Sequence, residues 1–203
     1  MKKVFAYLIL PILVIVLGYL VYNSVQEPVA FEKNRKAREA VAIQCLEDIR
    51  TLQEVFKTEH GRFTASIDSL IDFYNNGQIT IVRQIGSMDD SLAVAQNRVR
   101  RDSVKINVKD TLLKRSNFVA SNLKVIPITE EVKVPVEMKA VIKQVSGVNV
   151  PLFEATVSYE NLLAGLDHQL LVNLYHERVD TGRYPGLKVG SIDAPNNNAG
   201  NWE

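Results

Sequence analysis

The C-terminal stretch, residues 191–203, holds the side chains best suited to binding an ion. It carries four candidate oxygen donors: Asp193, Asn196, Asn198 and Glu203. Carboxylate and amide oxygens suit a hard cation such as calcium. Tight calcium sites use several carboxylates, however, and asparagine is also common in loops because it tolerates the left-handed conformation and caps its own turns. The sequence therefore leaves open both a weak calcium site and an asparagine-rich loop.

Histidine and cysteine, which are common metal ligands and nucleophiles, are sparse in this chain. His168 and His176 lie eight residues apart and could share one face of a helix, but zinc ligands on a helix usually lie closer together. The sequence favours solvent-exposed polar side chains over a zinc site there. The single cysteine, Cys45, cannot form an internal disulfide and occupies an apolar position of a helical pattern, so we predict a small core residue.

The sequence contains no motif that indicates an enzyme or a nucleic-acid-binding protein. It has no glycine-rich dinucleotide or phosphate loop, no Gly-x-Ser-x-Gly and no paired cysteines at metal-binding spacing. Lysine and arginine total 24 against 23 acidic residues, which gives no general attraction for nucleic acid. Arg98, Arg100 and Arg101 form one short basic cluster, but no aromatic residues interleave with them to stack on bases. We therefore predict no catalytic residue, no cofactor and no nucleic-acid partner.

The N-terminal segment predicts membrane insertion. Val4 to Tyr22 contains no charged residue, and as a helix it spans about 28 Å, close to the hydrocarbon thickness of about 30 Å of a bilayer. Lys2 and Lys3 would also suit a cleaved signal peptide, but the apolar run is longer than usual and Pro28-Val29-Ala30 is a poor cleavage site. We predict a retained anchor over residues 1–27, with the lipid bilayer as a partner.

A long amphipathic helix is predicted directly after the anchor, over residues 31–59. Apolar side chains recur every three or four residues along one stripe, while charged side chains form ion pairs three residues apart on the opposite face. Gly61 fits the position after the helix, where a positive φ costs glycine least, and Phe63 can fold back onto the last turn. With the anchor, the helix would extend from Val4 to Glu59, with a kink at Pro28. The stripe comprises Val41, Ala42, Cys45, Leu46, Ile49, Leu52, Val55 and Phe56, and the charged face comprises Glu47, Arg50, Glu54 and Lys57.

Shorter elements follow the long helix. Ser66 or Asp68 can cap a short helix that ends at Asn75-Asn76-Gly77. Runs of β-branched residues predict strands between residues 78 and 158, and a turn at Ser146-Gly147-Val148-Asn149 predicts a hairpin. The predicted strands are 78–85, 99–108, 134–145 (alternating through Val134, Val136, Met138, Ala140 and Ile142) and 150–158. A last helix begins at Asp167, carries Leu170, Leu171, Leu174 and Tyr175 on its apolar side and is closed by Gly182; together with the tail it covers residues 167–203.

The stretch from Asp48 to Leu70 resembles the major pseudopilin of type II secretion and other type IV pilin-like proteins. In that family an Asp-Ile-Arg-x-Leu run on a helix leads to Tyr-Lys, Gly-Arg-Tyr and a leucine before the sheet. The C-terminal Asn-Trp is similar to the ending of some pseudopilins, and residues 183–191 and 196–203 are similar to the tail of uncharacterised envelope proteins of Gram-negative bacteria. The matching residues are Asp48, Ile49, Arg50, Leu52, Phe56, Lys57, Gly61, Arg62, Phe63 and Leu70.

The resemblance implies an α+β, pilin-like fold, in which an N-terminal transmembrane helix continues into a long amphipathic helix packed on an antiparallel β-sheet. Residues 28–203 would form a periplasmic domain of a single-pass protein of the bacterial inner membrane, although basic residues at both ends of the anchor leave the orientation undecided by charge. The family's C-terminal calcium loop adds to the case for calcium at the tail. The residues expected to have structural roles, as opposed to catalytic or ligand-binding ones, are Ile49, Leu52, Phe56, Gly61, Phe63 and Trp202. Trp202 is expected to hold the tail against the domain.

Two functions follow as expectations. The first is a membrane-anchored structural or assembly component of the cell envelope, linked to secretion, which contacts envelope or secretion proteins or copies of itself through the N-terminal helix. The second is a monomeric, membrane-tethered periplasmic binding or sensing module. Prepilins carry a glycine before the apolar segment and an acidic residue near its start. In this chain no glycine precedes the segment, since Gly18 lies within it, and the first acidic residue is Glu27. We therefore expect an unprocessed anchor or minor component rather than a filament subunit.

Overall fold

A computed structural model describes residues 10–85, 100–116 and 118–203, and within them the chain has an α+β fold. A long N-terminal helix packs against short helices and small antiparallel sheets. The helices are α1 (Leu10–His60), α2 (Ile67–Asn76), α3 (Val108–Thr111), α4 (Tyr159–Leu162) and α5 (His168–Asp180), with a 3-10 turn at Ala120–Leu123. The strands are β1 (Gln78–Ile85), β2 (Arg100–Asn107), β3 (Val125–Pro127), β4 (Lys133–Pro135), β5 (Glu137–Val145), β6 (Val148–Ser158) and β7 (Gly186–Gly190).

The long helix α1 is continuous over 51 residues, about 77 Å, and contains the whole predicted helix 31–59. It continues through Pro28, and the predicted kink there stays a prediction. Every described side chain from Ile12 to Val29 is exposed, and Phe31 is the first buried side chain among those described. By length and composition, α1 is the one helix of the described residues that could cross a membrane.

The C-terminal half of α1 buries most of the predicted apolar stripe. Its fully buried members are Ala42, Leu46, Ile49 and Leu52. The prediction for Val41 is wrong, because its side chain is 46% exposed at the open side of a cavity. Two polar residues, Asp48 and Gln53, are buried in addition. Gln53 is accommodated because its amide donates to the carbonyl of Thr64 at 2.6 Å and accepts from the Thr64 N–H at 3.1 Å.

The end of α1 has the predicted chemistry. Gly61 adopts φ +71°, and its N–H bonds to the carbonyl four residues earlier at 2.8 Å, which closes the last turn. Phe63 is buried, with its ring centre 4.8 Å from that of Phe153 in β6. Helix α2 then begins as predicted, since the Ser66 hydroxyl accepts from the Ser69 N–H at 3.2 Å. These local signals fix where the chain leaves α1 and enters the rest of the domain.

The strands of the described residues form three separate antiparallel sheets, so the prediction of one sheet is wrong. The pairs β1–β2 and β3–β4 stand alone, while β5, β6 and β7 form a sheet with β6 in the centre. The predicted strand 134–145 divides in two because β4 ends at Pro135, which lacks an N–H, and pairs with β3. β5 begins at Glu137 and pairs instead with β6.

The predicted hairpin between β5 and β6 is confirmed, with a tighter turn. Ser146 and Gly147 alone form the connection, with φ of +51° and +84°, and Val145 pairs with Val148. Positive φ at both turn residues matches the twist of the flanking strands. Ile142, the last residue named in the alternating pattern, is 63% exposed. It lies near the turn, in the part of the hairpin that extends beyond the core.

The last predicted helix is confirmed, but its buried face is narrower. The Asp167 carboxylate accepts from the Leu170 N–H at 2.8 Å, and Gly182 adopts φ +68° after α5. Leu174 is buried, whereas Tyr175 is 40% exposed, which contradicts the prediction for Tyr175. Tyr175 lies about 100° around the helix from Leu174, at the edge of the buried face. Strand β7, which pairs with β6 and packs against α1, was not among the predicted strands.

The C-terminal tail covers part of the α1 face that carries the predicted charged side chains. Nη1 of Arg50 lies 2.5 Å from Oε1 of Glu203, and the Asn198 amide donates to Oε1 of Glu54 at 3.4 Å. Arg50 therefore pairs with the tail, and its predicted pairing within the helix is wrong. The approach of the tail to α1 explains the change of partner.

Candidate ligand cavity

A cavity of about 390 Å³ opens between α1 and the chain from Arg115 to Pro127. The 3-10 turn and β3 hold the wall opposite α1, because Leu123 and Ile126 are each 1% exposed and anchor these elements in the core. Most of the lining is apolar. α1 contributes Ala40, Val41, Gln44, Cys45 and Asp48, and the opposite wall includes Arg115, Phe118, Val119, Asn122, Ile126 and Pro127.

Asp48 and Arg115 form an ion pair in this cavity. Nη2 of Arg115 donates to Oδ2 of Asp48 at 2.5 Å. The Asp48 side chain is 6% exposed, whereas that of Arg115 is 35% exposed. The guanidinium carbon also lies 5.8 Å from the ring centre of Phe118, within the range of a cation–π contact. The carboxylate is thus enclosed, and the accessible charge of the cavity is positive.

Burial is the main influence on the pKa values of the two titratable side chains that α1 contributes to the cavity, Asp48 and Cys45. Burial raises the pKa of Asp48, and the hydrogen bond and charge of Arg115 offset only part of that rise. Burial and then the charge of Asp48 raise the pKa of Cys45 to about 12. The Cys45 thiol donates to the carbonyl of Asn122 at 3.4 Å. A thiol that stays protonated at neutral pH is a poor nucleophile, so Cys45 contributes packing, and its predicted burial is confirmed.

The four predicted oxygen donors of the tail make separate contacts in the structure. Asn198 and Glu203 contact α1, as described above. The Asn196 amide bonds to a carbonyl within its own turn at 3.2 Å, and the backbone carbonyl of Asp193 accepts a lysine of β5 at 2.7 Å. Asn197 and Asn198 adopt φ of +55° and +57°, the conformation that the asparagine-rich loop requires. The calcium site stays a prediction.

The histidine pair singled out in the sequence lies away from the cavity. His168 and His176 are exposed on α5, beside a separate depression of about 230 Å³. Within residues 10–85, 100–116 and 118–203, no three histidine, cysteine or acidic side chains are grouped to hold a metal ion. Arg98 lies outside the described residues, as do the side chains of Arg100 and Arg101.

The predicted structural residues surround the end of α1 and the tail. Ile49, Leu52 and Phe63 are buried and Gly61 has the left-handed conformation, as given above. Phe56 is half-buried; its ring stacks on His60 at 4.1 Å and meets the edge of Phe73 at 5.1 Å. Trp202 is half-buried, packs against the core and covers Gly200, where no side chain would fit. The tail is therefore held by aromatic packing as well as by the ion pair.

Sequence reasoning missed the pair of Asp48 and Arg115. Asp48 lies three residues after Cys45 and beside Ile49, on the inner face of the helix, and a carboxylate there requires a cationic partner. That requirement could have identified Asp48 as one member of a buried ion pair. Nothing in the sequence selects Arg115, which lies 67 residues away in a segment without periodic pattern.

No protein-family model, curated protein or solved structure matches the chain. The resemblance to pseudopilins therefore stays a prediction, which rests on the residues from Asp48 to Leu70 and on the tail.

Proposed function

We propose that the protein is a membrane-anchored, pilin-like structural or assembly component of the bacterial cell envelope. One observation supports the proposal above the others: α1 joins an exposed apolar half to a buried half within one continuous helix. Pilin-like subunits use this arrangement to hold a globular domain on a membrane helix. The anchor would lie in the inner membrane as a single pass, with the domain in the periplasm.

The exposed half of α1 has the length and composition that a bilayer requires. From Leu10 to Val29 the helix extends about 30 Å, which equals the hydrocarbon thickness. Tyr19 and Tyr22 are 65% and 62% exposed, and tyrosine is common at membrane interfaces. Phe31, where the domain core begins, lies about 13 Å further along the axis than Tyr22. The domain would therefore lie close to the membrane surface.

Self-association through the exposed half of α1 tests the assembly role. We would introduce single cysteines at Ile15, Val16 and Leu17, which are exposed and point in three directions about 100° apart around the helix, and oxidise membranes that contain the full chain. Assembly predicts disulfide-linked dimers at positions on one side of the helix, with none from the wild type, because Cys45 is buried. Monomers at all three positions, together with a monomeric mass in mild detergent, would contradict assembly through the helix.

The orientation has its own test. A cysteine at Glu177, which is exposed on α5, should react with a membrane-impermeant maleimide in intact spheroplasts if the domain is periplasmic. The wild type, with buried Cys45, is the matched control. Labelling that occurs only after lysis would place the domain in the cytoplasm.

The cavity beside Asp48 and Arg115 favours a second candidate function, a membrane-tethered periplasmic binding module. Its volume, apolar lining and few polar groups are those of a small-molecule site. A monomeric protein that binds a small ligand would support this function over assembly.

A further inference from the structure

We propose that the cavity between α1 and the chain from Arg115 to Pro127 binds a small amphiphilic anion, with its carboxylate on Arg115 and its apolar body along the cavity. This inference rests on the cavity alone. It depends neither on the membrane anchor nor on assembly, and it would apply to either proposed function.

The cavity is large and apolar enough to hold a ligand body. Its volume of about 390 Å³ lies within the range of about 300 to 1,000 Å³ that is common for small-molecule sites. Two lining residues, Val41 and Val119, are 46% and 51% exposed. A ligand with a short alkyl or aromatic body would remove these side chains and the cavity walls from water, at roughly 25 cal/mol for each Å² of apolar surface buried.

The polar groups of the cavity are concentrated around one carboxylate. Asp48 accepts from Arg115, and Gln44 lines the cavity one turn earlier on α1. The lining near Phe118 and Ile126 is apolar. A ligand that matches this division has one polar head and an apolar body.

The charge expected on the ligand's head group follows from the different exposure of Asp48 and Arg115. Asp48 is enclosed and already engaged, so a cationic ligand would have little access to it. The guanidinium of Arg115 is more exposed and has five N–H donors. Within the described residues, its recorded hydrogen bond uses one donor, through Nη2 to Asp48. The remaining donors suit a second carboxylate, which guanidinium binds in a two-point geometry.

The nearby Asp48 carboxylate limits the affinity for that anion. Its negative charge repels a second carboxylate and neutralises Arg115. Replacing Asp48 by asparagine should therefore strengthen anion binding, whereas the same change would weaken binding of a cation. This opposite response separates the proposal from a cation site in the same cavity.

The experiment uses the full chain in nanodiscs of zwitterionic lipid, with empty nanodiscs to subtract partition into the bilayer. The probe is octanoate labelled with ¹³C at the carboxylate, titrated by NMR, with octanol and octylamine as matched neutral and cationic probes. We expect saturable octanoate binding that is at least tenfold tighter than binding of either other probe. We also expect the pKa of the bound octanoate to fall, because Arg115 stabilises its charged form.

Four variants complete the test. Ala40→Trp, at an exposed position that lines the cavity, should reduce octanoate affinity at least tenfold, while Ala37→Trp, exposed on α1 outside the lining, should not change it. Asp48→Asn should bind octanoate at least threefold more tightly. Arg115→Lys should bind at least fivefold more weakly and lose the pKa shift of the bound probe.

Several results would overturn the proposal. They are the absence of saturable octanoate binding, equal affinity for octanol, tighter binding of octylamine, or weaker octanoate binding by a folded Asp48→Asn variant. Unchanged affinity in Ala40→Trp would also place the ligand outside the cavity. The cysteine crosslinking described above tests assembly separately from ligand binding. The assembly proposal and the ligand proposal can therefore fail independently.

Discussion

Ile49 and Arg50 are adjacent on α1 but face different surroundings, so truncating each to alanine tests the assignment of the helix faces. Ile49 is fully buried in the core. Arg50 lies under the tail, and its side chain is 26% exposed and paired with Glu203, which is 45% exposed. Both substitutions place the same residue in the same turn of the helix. Their difference therefore measures packing on one face against an ion pair on the other.

The expected magnitudes differ by several fold. Removing a buried isoleucine side chain loses its transfer free energy and leaves a cavity, which together cost about 2 to 5 kcal/mol. An ion pair as exposed as that of Arg50 contributes about 0.2 to 1 kcal/mol, because water screens both partners. We expect Ile49→Ala to lower the free energy of unfolding by about 3 kcal/mol and Arg50→Ala by less than about 1 kcal/mol.

Urea unfolding of the full chain in detergent, followed by fluorescence, would measure both values. The chain has one tryptophan, Trp202, which packs against the core and so reports on the domain rather than on the anchor. Thr58→Ala, at an exposed position near the end of α1, is the control for changes in helix propensity. Similar losses for Ile49→Ala and Arg50→Ala, both clearly larger than that of Thr58→Ala, would refute the assignment of the faces.

Further predictions concern three single positions, Cys45, Gly61 and Gly190. In the folded protein, Cys45 should resist alkylation at pH 8 and react at the rate of a free thiol only in denaturant, because it is buried and protonated. Since its pKa rises from 9.0 to about 12 on folding, its contribution to stability should be complete below pH 9 and fall as the pH rises through 12, as measured by urea midpoints. Gly61→Ala should cost about 1 to 2 kcal/mol through its positive φ alone, since an added methyl meets no neighbour. Gly190→Ala should cost more, because its φ is also positive and the methyl would strike the backbone of Phe153; equal unfolding midpoints for the two variants would contradict this.

Local chemistry in the sequence was enough to locate the ends of helices and the tightest turn. Gly61 and Gly182 both take the left-handed conformation after a helix, and Ser66 and Asp167 cap the starts of α2 and α5. Each of these signals acts within a few residues, through a backbone N–H or a positive φ. They are therefore readable without knowledge of the fold.

Contacts between distant segments could not be read in the same way. Strand β7 is short and contains two glycines, so its pairing with β6 is decided by the space beside α1 rather than by propensity. The same applies to the cavity, where Asp48 could be suspected from its position on the inner face but its partner Arg115 could not. Ion pairs across 67 residues leave no pattern in a single sequence.

The two ion pairs of α1 also restrict where copies of this chain could meet. Asp48 and Arg50 are two residues apart, so their side chains point about 200° apart around the helix. Asp48 is held by Arg115 on one side and Arg50 by Glu203 on the other, which places other parts of the domain on both sides of the helix. Neighbouring helices could not approach α1 there without displacing these segments. Lateral contact through α1, as the proposed assembly role requires, is therefore blocked around Asp48 and Arg50 and open along the exposed part from Ile12 to Val29. A cysteine in place of Arg50, which lies under the tail, should give no crosslinked dimer under conditions where Val16→Cys does.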